Sequence, residues 1–301
     1  MTICVASISG NSFILGASDR MLTAGDVQFE PPQPKIKQFT SSIALMIAGD
    51  IGIHSQVYQN VMLKVRDHID KTPDIWLKVK DVVDMYSKEY FNLKLEKAEE
   101  KILFPLNLNK DTFLRRQNEL SPSLVDNICR KLSNFELYGR DIGAIITGND
   151  GDASVAIPHI YTVENGNVEC KGDIGFAAIG AGCWHANSQF MFDGYTKNAS
   201  IPQSLLSTYW AKKRAEVAPG VGSETDMFAI GPQLGTFTHV FPNVIQDIDN
   251  IYKKYLKKIE NVEKQSIKDM EQYIEDLGKK AAQKQEESSG EENGKGERNN
   301  R

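Results

Sequence analysis

Thr2 is the residue whose type and position suggest chemistry first. Its side chain is small enough that Met1 is expected to be removed, leaving Thr2 at the amino terminus. A terminal threonine carries two useful groups on one residue. Its hydroxyl is a nucleophile, and its free α-amine, with a pKa of about 8, lies close enough to neutrality to act as a base. The amine can then activate the hydroxyl beside it. Many chains begin Met-Thr, so this pairing acquires meaning only from the residues that follow. Cys4 is a second nucleophilic side chain nearby. It stands within an apolar strand pattern and reads as a packed small hydrophobe.

Composition narrows the setting. A chain of 301 residues can hold one large domain, or two small ones, with a sizeable core. Its 41% apolar and 25% charged residues are ordinary for a soluble globular protein. A net charge of −5 leaves no basic surplus for nucleic acid. No apolar run approaches the ~18 residues of a membrane span, so neither partner is expected. The start lacks the basic segment and apolar core of a secretory signal. Cys4, Cys129, Cys170 and Cys183 are scattered, without CxxC or Cys/His spacing. Free thiols in a reducing cytoplasm are expected, with no metal and no cofactor.

The elements that must position Thr2 follow from the patterning. Residues 2–7 and 12–17 are β-rich runs joined at Gly10-Asn11, a hairpin signal. Gly25 and the run Pro31-Pro32-Gln33-Pro34 suit an extended edge or turn. Residues 35–39 and 43–48 read as a second hairpin, so the start is antiparallel. Helical spacing begins after Gly49, and Pro73 is expected to open a second helix, capped by Thr72 and reaching about Lys101. A further helix is expected over 122–134. Strands return at 142–147 and 154–163, then at 168–171 and 176–179, with an Asn165-Gly166 turn between the second and third. Helices at 183–195 and 203–217 and strands at 226–230 and 236–241 complete the pattern. Such segregated blocks indicate an α+β fold with stacked sheets covered by helices. Residues 247–280 form one long amphipathic helix, a packing helix or a partner helix. The residues after Gln283 are almost purely polar and read as disordered.

Taken singly, Asp19 after a strand is a turn residue, Lys35 a solvated edge and Ala48-Gly49 a tight junction before a helix. Taken together, they are a pattern. The segment from Ile14 to Gly25, with Asp19, Arg20, Thr23 and Gly25, resembles the proteasome β-subunit family and its bacterial heat-shock peptidase relatives. Lys35 and Ala48-Gly49 then fall at the family's spacings, with one extra residue between Thr2 and Asp19. The resemblance is good over residues 2–60 and weaker over 140–232. It does not extend to 95–135 or beyond 245.

The resemblance implies an N-terminal-nucleophile (Ntn) hydrolase: a four-layer αββα sandwich of two stacked antiparallel sheets over residues 2–245. To this the chain adds the C-terminal amphipathic helix (246–282) and the disordered polar tail (283–301). Thr2 would be the nucleophile, Lys35 the cation that favours its alkoxide and a neutral α-amine, and Asp19 the carboxylate that holds Lys35. Gly49 N–H would bind the oxyanion. Leu22, Ile47 and Ile51, with Gln33 and Lys37, match specificity-pocket positions and point to a medium apolar side chain before the scissile bond. Departures occur at Ala181, where catalytic members carry a Ser, and at Ala218 and Val221, where they carry an Asp and a Ser. Ser223, Glu224 or Asp226 are candidate replacements. The departures move the chain towards a divergent, bacterial-type branch. The implied function is threonine-dependent hydrolysis of a peptide or unfolded protein. The implied setting is a cytoplasmic homo-oligomer, a self-compartmentalised ring or stacked rings, with an ATP-dependent unfoldase as a further partner. Two other readings stay open: a non-catalytic scaffold subunit, and an Ntn acylase acting on a small amide.

Overall fold

The computed structural model describes residues 2–24, 27–31, 35–137, 142–151 and 156–296. The chain divides into two compact units, the first ending at Ile245 and the second beginning at Gln246. The first unit opens with strands β1 (Ile3–Ser9) and β2 (Phe13–Asp19), then β3 (Leu22–Ala24), β4 (Val27–Phe29), β5 (Ile36–Thr40) and β6 (Ile43–Ala48). Helices α1 (Ile51–Lys71) and α2 (Val79–Ala98) follow, and then short turns with α3 (Lys110–Arg115) and α4 (Pro122–Ser133). Strands β7 (Gly143–Gly151), β8 (Ala156–Glu164), β9 (Asn167–Cys170) and β10 (Phe176–Gly180) lead to helices α5 (Cys183–Phe192) and α6 (Ile201–Ala215). The last strands are β11 (Thr225–Ile230) and β12 (Phe237–His239).

The strands form two five-stranded sheets, ordered β10-β1-β2-β11-β12 and β5-β6-β7-β8-β9, with a separate β3-β4 hairpin. Every pairing among them is antiparallel. The fold is therefore α+β with two antiparallel sheets, as the segregated blocks of the sequence indicate. Asn11 and Gly10 take positive φ at the first turn, and Asn165 and Gly166 at the β8–β9 turn, where the sequence carries its hairpin signals.

Side-chain alternation explains why β1 and β6 are apolar at almost every position. Successive residues of a strand point to opposite faces. On β1, Cys4, Ala6 and Ile8 join an apolar cluster with Ala44, Met46 and Ala48 of β6, from the other sheet. Ile3 and Val5 point the other way, into a cluster with Ala186 and Phe190 of α5 and Ala211 of α6. On β6, Ile43, Leu45 and Ile47 pack against Val57 and Val61 of α1 and Val82 of α2. Both strands are buried on both faces, which is why they read as near-continuous hydrophobic runs.

Two expectations are revised. Thr72 does not cap α2. It ends α1, with its backbone N–H and its hydroxyl both donating to the His68 carbonyl. Pro73 follows a helix end, where proline is common because it cannot continue the helix. α2 starts six residues later, its Val79 N–H received by Asp150 Oδ1 from the distant β7 at 2.7 Å. The β3-β4 hairpin was also absent from the strand pattern, being short and exposed on β4. Residues 99–133, beyond the range of the resemblance, build a small cluster of their own from Leu103, Leu108, Phe113 and Ile128. The expected strand start at 154, Gly25, Gln33 and the prolines Pro32 and Pro34 lie outside the described residues.

Helix α7 spans Pro242–Gly296. Pairs such as Asp249–Lys253 and Glu260–Lys264, four residues apart, support it at a few tenths of a kcal/mol each. Its backbone continues past the expected end at 282, and residues 297–301 of the expected tail lie outside the described residues. Among the described residues, no helix is long and apolar enough to cross a membrane.

The sheets leave little slack where β6 meets β7. A Cβ added to Gly148 would lie against the Ser42 carbonyl oxygen and Ile43 Cα, both backbone atoms that cannot swing away. Gly148→Ala is therefore expected to cost about 1–3 kcal/mol through overpacking. Chemical denaturation checks this, and an unchanged midpoint would show that the sheet can relax there.

Candidate active site

The site assembles at the start of β1. Thr2 is only 4% exposed, Lys35 5% and Asp19 fully buried. Thr2 Oγ1 donates to Asp19 Oδ1, and Lys35 Nζ donates to Thr2 Oγ1. Lys35 Nζ also reaches Asp19 Oδ1 at 2.7 Å. The threonine hydroxyl thus sits between a cationic donor and an anionic acceptor. This arrangement gives its oxygen a positive charge to develop against.

Asp19 is held by more than Lys35. Its Oδ1 accepts the Ile3 N–H at 3.0 Å, and its Oδ2 accepts the N–H groups of Met21 (3.2 Å) and Gly222 (2.9 Å). These donors come from β1, the turn after β2 and the turn before β11. Gly180, at the end of β10, completes the floor. It has φ +97°, and any Cβ there would run into the Thr2 carbonyl. Only glycine fits this approach.

The cleft above the cluster has a volume of about 1220 Å³. Its walls include Thr2, Lys35, Gly49 and Ala181, together with Leu22, Ile47 and Ile51. The expected nucleophile, cation, oxyanion donor and apolar pocket residues therefore border one space. Tyr90 and Lys94 of α2 also face it, as do Glu136 and Trp184. Gly49 has φ +109°, which turns the chain out of β6, and Asp50 caps α1 by accepting the Ile53 N–H at 3.0 Å. A helix N-terminus at this point favours negative charge in the cleft.

Other expected residues are not brought in. Lys37 does not line the cleft, and its ammonium lies over the Tyr58 ring at 4.7 Å from the centroid. Asp226 is engaged by Arg20 in a two-pronged pair, at 2.6 and 3.0 Å. Ser223 is exposed and contributes its backbone carbonyl, which accepts from Lys212 at 3.0 Å. Glu224 is likewise exposed, with its N–H donated to Glu30 Oε1 at 3.2 Å. Ala218 and Val221 are packed in the apolar cluster with α5 and α6. Cys4 is packed as expected, and burial pushes its thiol up to about 12. Among the described residues, no group of three His, Cys, Asp or Glu side chains could hold a metal ion.

Two residues of the site were missed from sequence. Lys212 on α6 is fully buried, and it donates to the Gly222 carbonyl and Glu216 Oε1 at 3.0 and 2.6 Å as well as to Ser223. It secures the turn whose Gly222 N–H meets Asp19. Burial lowers its pKa, and the neighbouring Glu216 works against that shift. The second is His54 on α1, 1% exposed, with Nε2 at 2.9 Å from the Ala48 carbonyl and Nδ1 bonded to the Tyr86 hydroxyl. A lysine and a histidine at helical spacing carry no mark of such roles. The one available signal was that both fall on apolar helix faces.

No protein-family model matches the chain, and no curated protein matches it.

His54 makes stability depend on pH. Burial lowers its pKa from 6.5 to about 4, outweighing the Ala48 carbonyl and Asp50, which act the other way, while Lys37 adds to the lowering. The unfolded chain therefore binds a proton on cooling the pH through 6.5, and the folded chain does not until about 4. Stability from this group is complete above 6.5 and is lost as pH falls towards 4, by about 3 kcal/mol in all. Urea denaturation between pH 7 and 4 should show this loss, and His54→Gln should remove that component of the slope. Identical slopes in the two proteins would mean that His54 titrates normally.

Proposed function

We propose that this chain is a threonine-dependent amide hydrolase of the N-terminal-nucleophile type, acting on peptides. The observation that carries the reading is the Thr2 hydroxyl held between Lys35 Nζ and Asp19 Oδ1 at the base of a cleft bordered by Gly49. The helix-covered sheets, with apolar clusters on both faces of β1 and of β6, support an αββα layering of that type.

In this reading Met1 is removed and the Thr2 α-amine becomes free. Thr2 Oγ attacks the amide carbonyl carbon, and its proton passes to the α-amine through a water. Lys35 stabilises the oxygen as it loses that proton, with Asp19 holding the ammonium in place. Gly49 N–H donates to the tetrahedral oxyanion. The C–N bond then breaks as the α-ammonium returns the proton to the leaving amine. Water hydrolyses the resulting ester and restores Thr2. Leu22, Ile47 and Ile51 would receive a medium apolar side chain before the scissile bond.

The wider setting rests on the resemblance: a proteasome-like homo-oligomeric ring in the cytoplasm, fed by an ATP-dependent unfoldase. Trp184, Met191 and Phe192, exposed together on α5, add an apolar face suited to packing between copies of the chain. A scaffold subunit without activity is the second reading. It is favoured by Ala218 and Val221 being packed in an apolar cluster and by Asp226 being committed to Arg20.

The two readings part in one experiment. Intact-mass measurement should show Met1 absent, and a fluorogenic peptide amide should be cleaved. Thr2→Ala, Lys35→Met and Asp19→Asn should each lower kcat/KM at least ~10³-fold, while Thr2→Ser keeps measurable turnover. A mature chain with Thr2 at its terminus that neither turns over nor takes up a threonine-directed electrophile would leave the scaffold reading in its place.

A further inference from the structure

The Ala48–Gly49 peptide is held from behind. His54 is the only side chain described as bonding the Ala48 carbonyl, and the geometry fixes its tautomer. A carbonyl can only accept, so Nε2 carries the proton. The neutral ring then offers the Nδ1 lone pair to the Tyr86 hydroxyl of α2. The imidazole is thereby locked between two helices and the end of β6. It has little freedom, being buried beneath them and stacked at 30° to the Tyr86 ring.

A trans peptide is planar, and its C=O and N–H point in opposite directions. The chain contains no cis peptide among the described residues. With the Ala48 carbonyl directed at His54, the N–H of Gly49 is directed the other way. Ala48 and Gly49 both border the cleft above Thr2. Gly49, at φ +109°, is the kind of position where a peptide plane can turn over, since glycine has no Cβ to resist it. Local sterics leave the plane free, so it is held by the β6–β7 pairing of Ala48 with Gly143 on one side and by the His54 bond behind it.

We infer that His54 is a positioning residue for the oxyanion donor: its Nε2–H, received by the Ala48 carbonyl, sets the Ala48–Gly49 peptide so that the Gly49 N–H faces the cleft. The inference rests on the threonine-hydrolase reading for its catalytic consequence. The orientation of the peptide stands apart from that reading. Tyr86 acts one bond further out, by keeping Nδ1 an acceptor and so Nε2 a donor.

The test compares His54→Leu with His54→Gln in the full chain. Glutamine carries an N–H at the same number of bonds from the backbone as histidine Nε2, whereas leucine fills space without a donor. In His54→Leu, kcat on a fluorogenic peptide amide should fall about 10–100-fold with KM within about twofold. That is short of the ~10²–10³-fold that loss of an oxyanion donor itself costs. His54→Gln should stay within about threefold of the parent. A peptide vinyl sulfone captures the Thr2 hydroxyl without forming a carbonyl oxyanion, so its labelling rate should be equal in all three proteins. Amide hydrogen exchange at Gly49, fast in the parent where the N–H faces the cleft, should slow in His54→Leu alone, as the freed plane turns the N–H out of the cleft. A His54→Leu protein that hydrolyses and exchanges like the parent overturns the inference while leaving Thr2 as nucleophile. So does a His54→Gln protein as slow as His54→Leu when both label normally. A parent chain that neither labels nor hydrolyses overturns the hydrolase reading and the catalytic role together, and Gly49 exchange then decides the orientation alone.

Discussion

The buried carboxylate of Asp19 is the constraint around which this domain is arranged. Taking a charge of that size out of water costs several kcal/mol even after relaxation. The cost is met only if the oxygens find donors, and here five do so: the Thr2 hydroxyl, the Lys35 ammonium and the backbone N–H groups of Ile3, Met21 and Gly222. Those donors lie as far as 203 residues from Asp19 in the chain. The carboxylate therefore ties together the start of β1, the turn after β2, the approach to β5 and the turn before β11. An error in any one segment leaves a buried charge short of a partner, which is far costlier than a missing surface contact.

This explains why the layers around the cluster are so apolar. Cys4, Ala6 and Ile8 on one face of β1, and Ile3 and Val5 on the other, exclude water from both sides of the strand that carries Thr2. In such surroundings charge-assisted hydrogen bonds strengthen. Small residues matter as much as large ones. Gly180 lets β10 lie against the Thr2 carbonyl, and Gly16 on β2 leaves room for the Phe228 ring of β11. The same strands that bury the charge thus also fix the position of the hydroxyl to within the play of a packed core.

How much of this could be read from the sequence depended on chain distance. Thr2, Asp19, Lys35 and Ala48-Gly49 fall within the first fifty residues, on successive antiparallel strands. There, strand lengths and short turns convert spacing into spatial neighbourhood, and the structure does bring these residues to one cleft. Leu22, Ile47 and Ile51 follow for the same reason. Beyond that range spacing lost its grip. Asp226 was a candidate to serve Thr2, yet its β11 position pairs it across the sheet with the neighbourhood of β2, where Arg20 takes both of its oxygens. Thr72 looked like a helix start because Pro73 suits a first turn, but proline equally suits the residue after a helix end, and Asp150 of β7 settles where α2 begins. Lys212 and His54 were invisible because nothing in their local pattern shows that a helix face will be pressed against backbone carbonyls.

Lys212 and His54 show how a site can be built with ordinary residues in unexpected places. Each is a buried nitrogen donor carried on a helix, and each bonds a backbone carbonyl as well as a side chain, Glu216 for Lys212 and Tyr86 for His54. A carbonyl held in this way commits the adjoining peptide N–H to a direction. For Lys212 the carbonyls belong to Gly222 and Ser223, whose adjoining N–H groups are those of Ser223 and Glu224; the Glu224 N–H is received by Glu30 Oε1, and the turn so held carries the Gly222 N–H that meets Asp19. For His54 the carbonyl belongs to Ala48, and the committed N–H is that of Gly49. In the proposed reaction the Gly222 N–H, on the turn that Lys212 secures, serves the resting carboxylate, and the Gly49 N–H serves the oxyanion that forms at the substrate. Ala181 borders the cleft and Ala218 is packed with α5 and α6, and neither offers a side-chain donor to Thr2. In that reaction, two buried nitrogens that grip backbone carbonyls keep the donors in place where these alanines supply none.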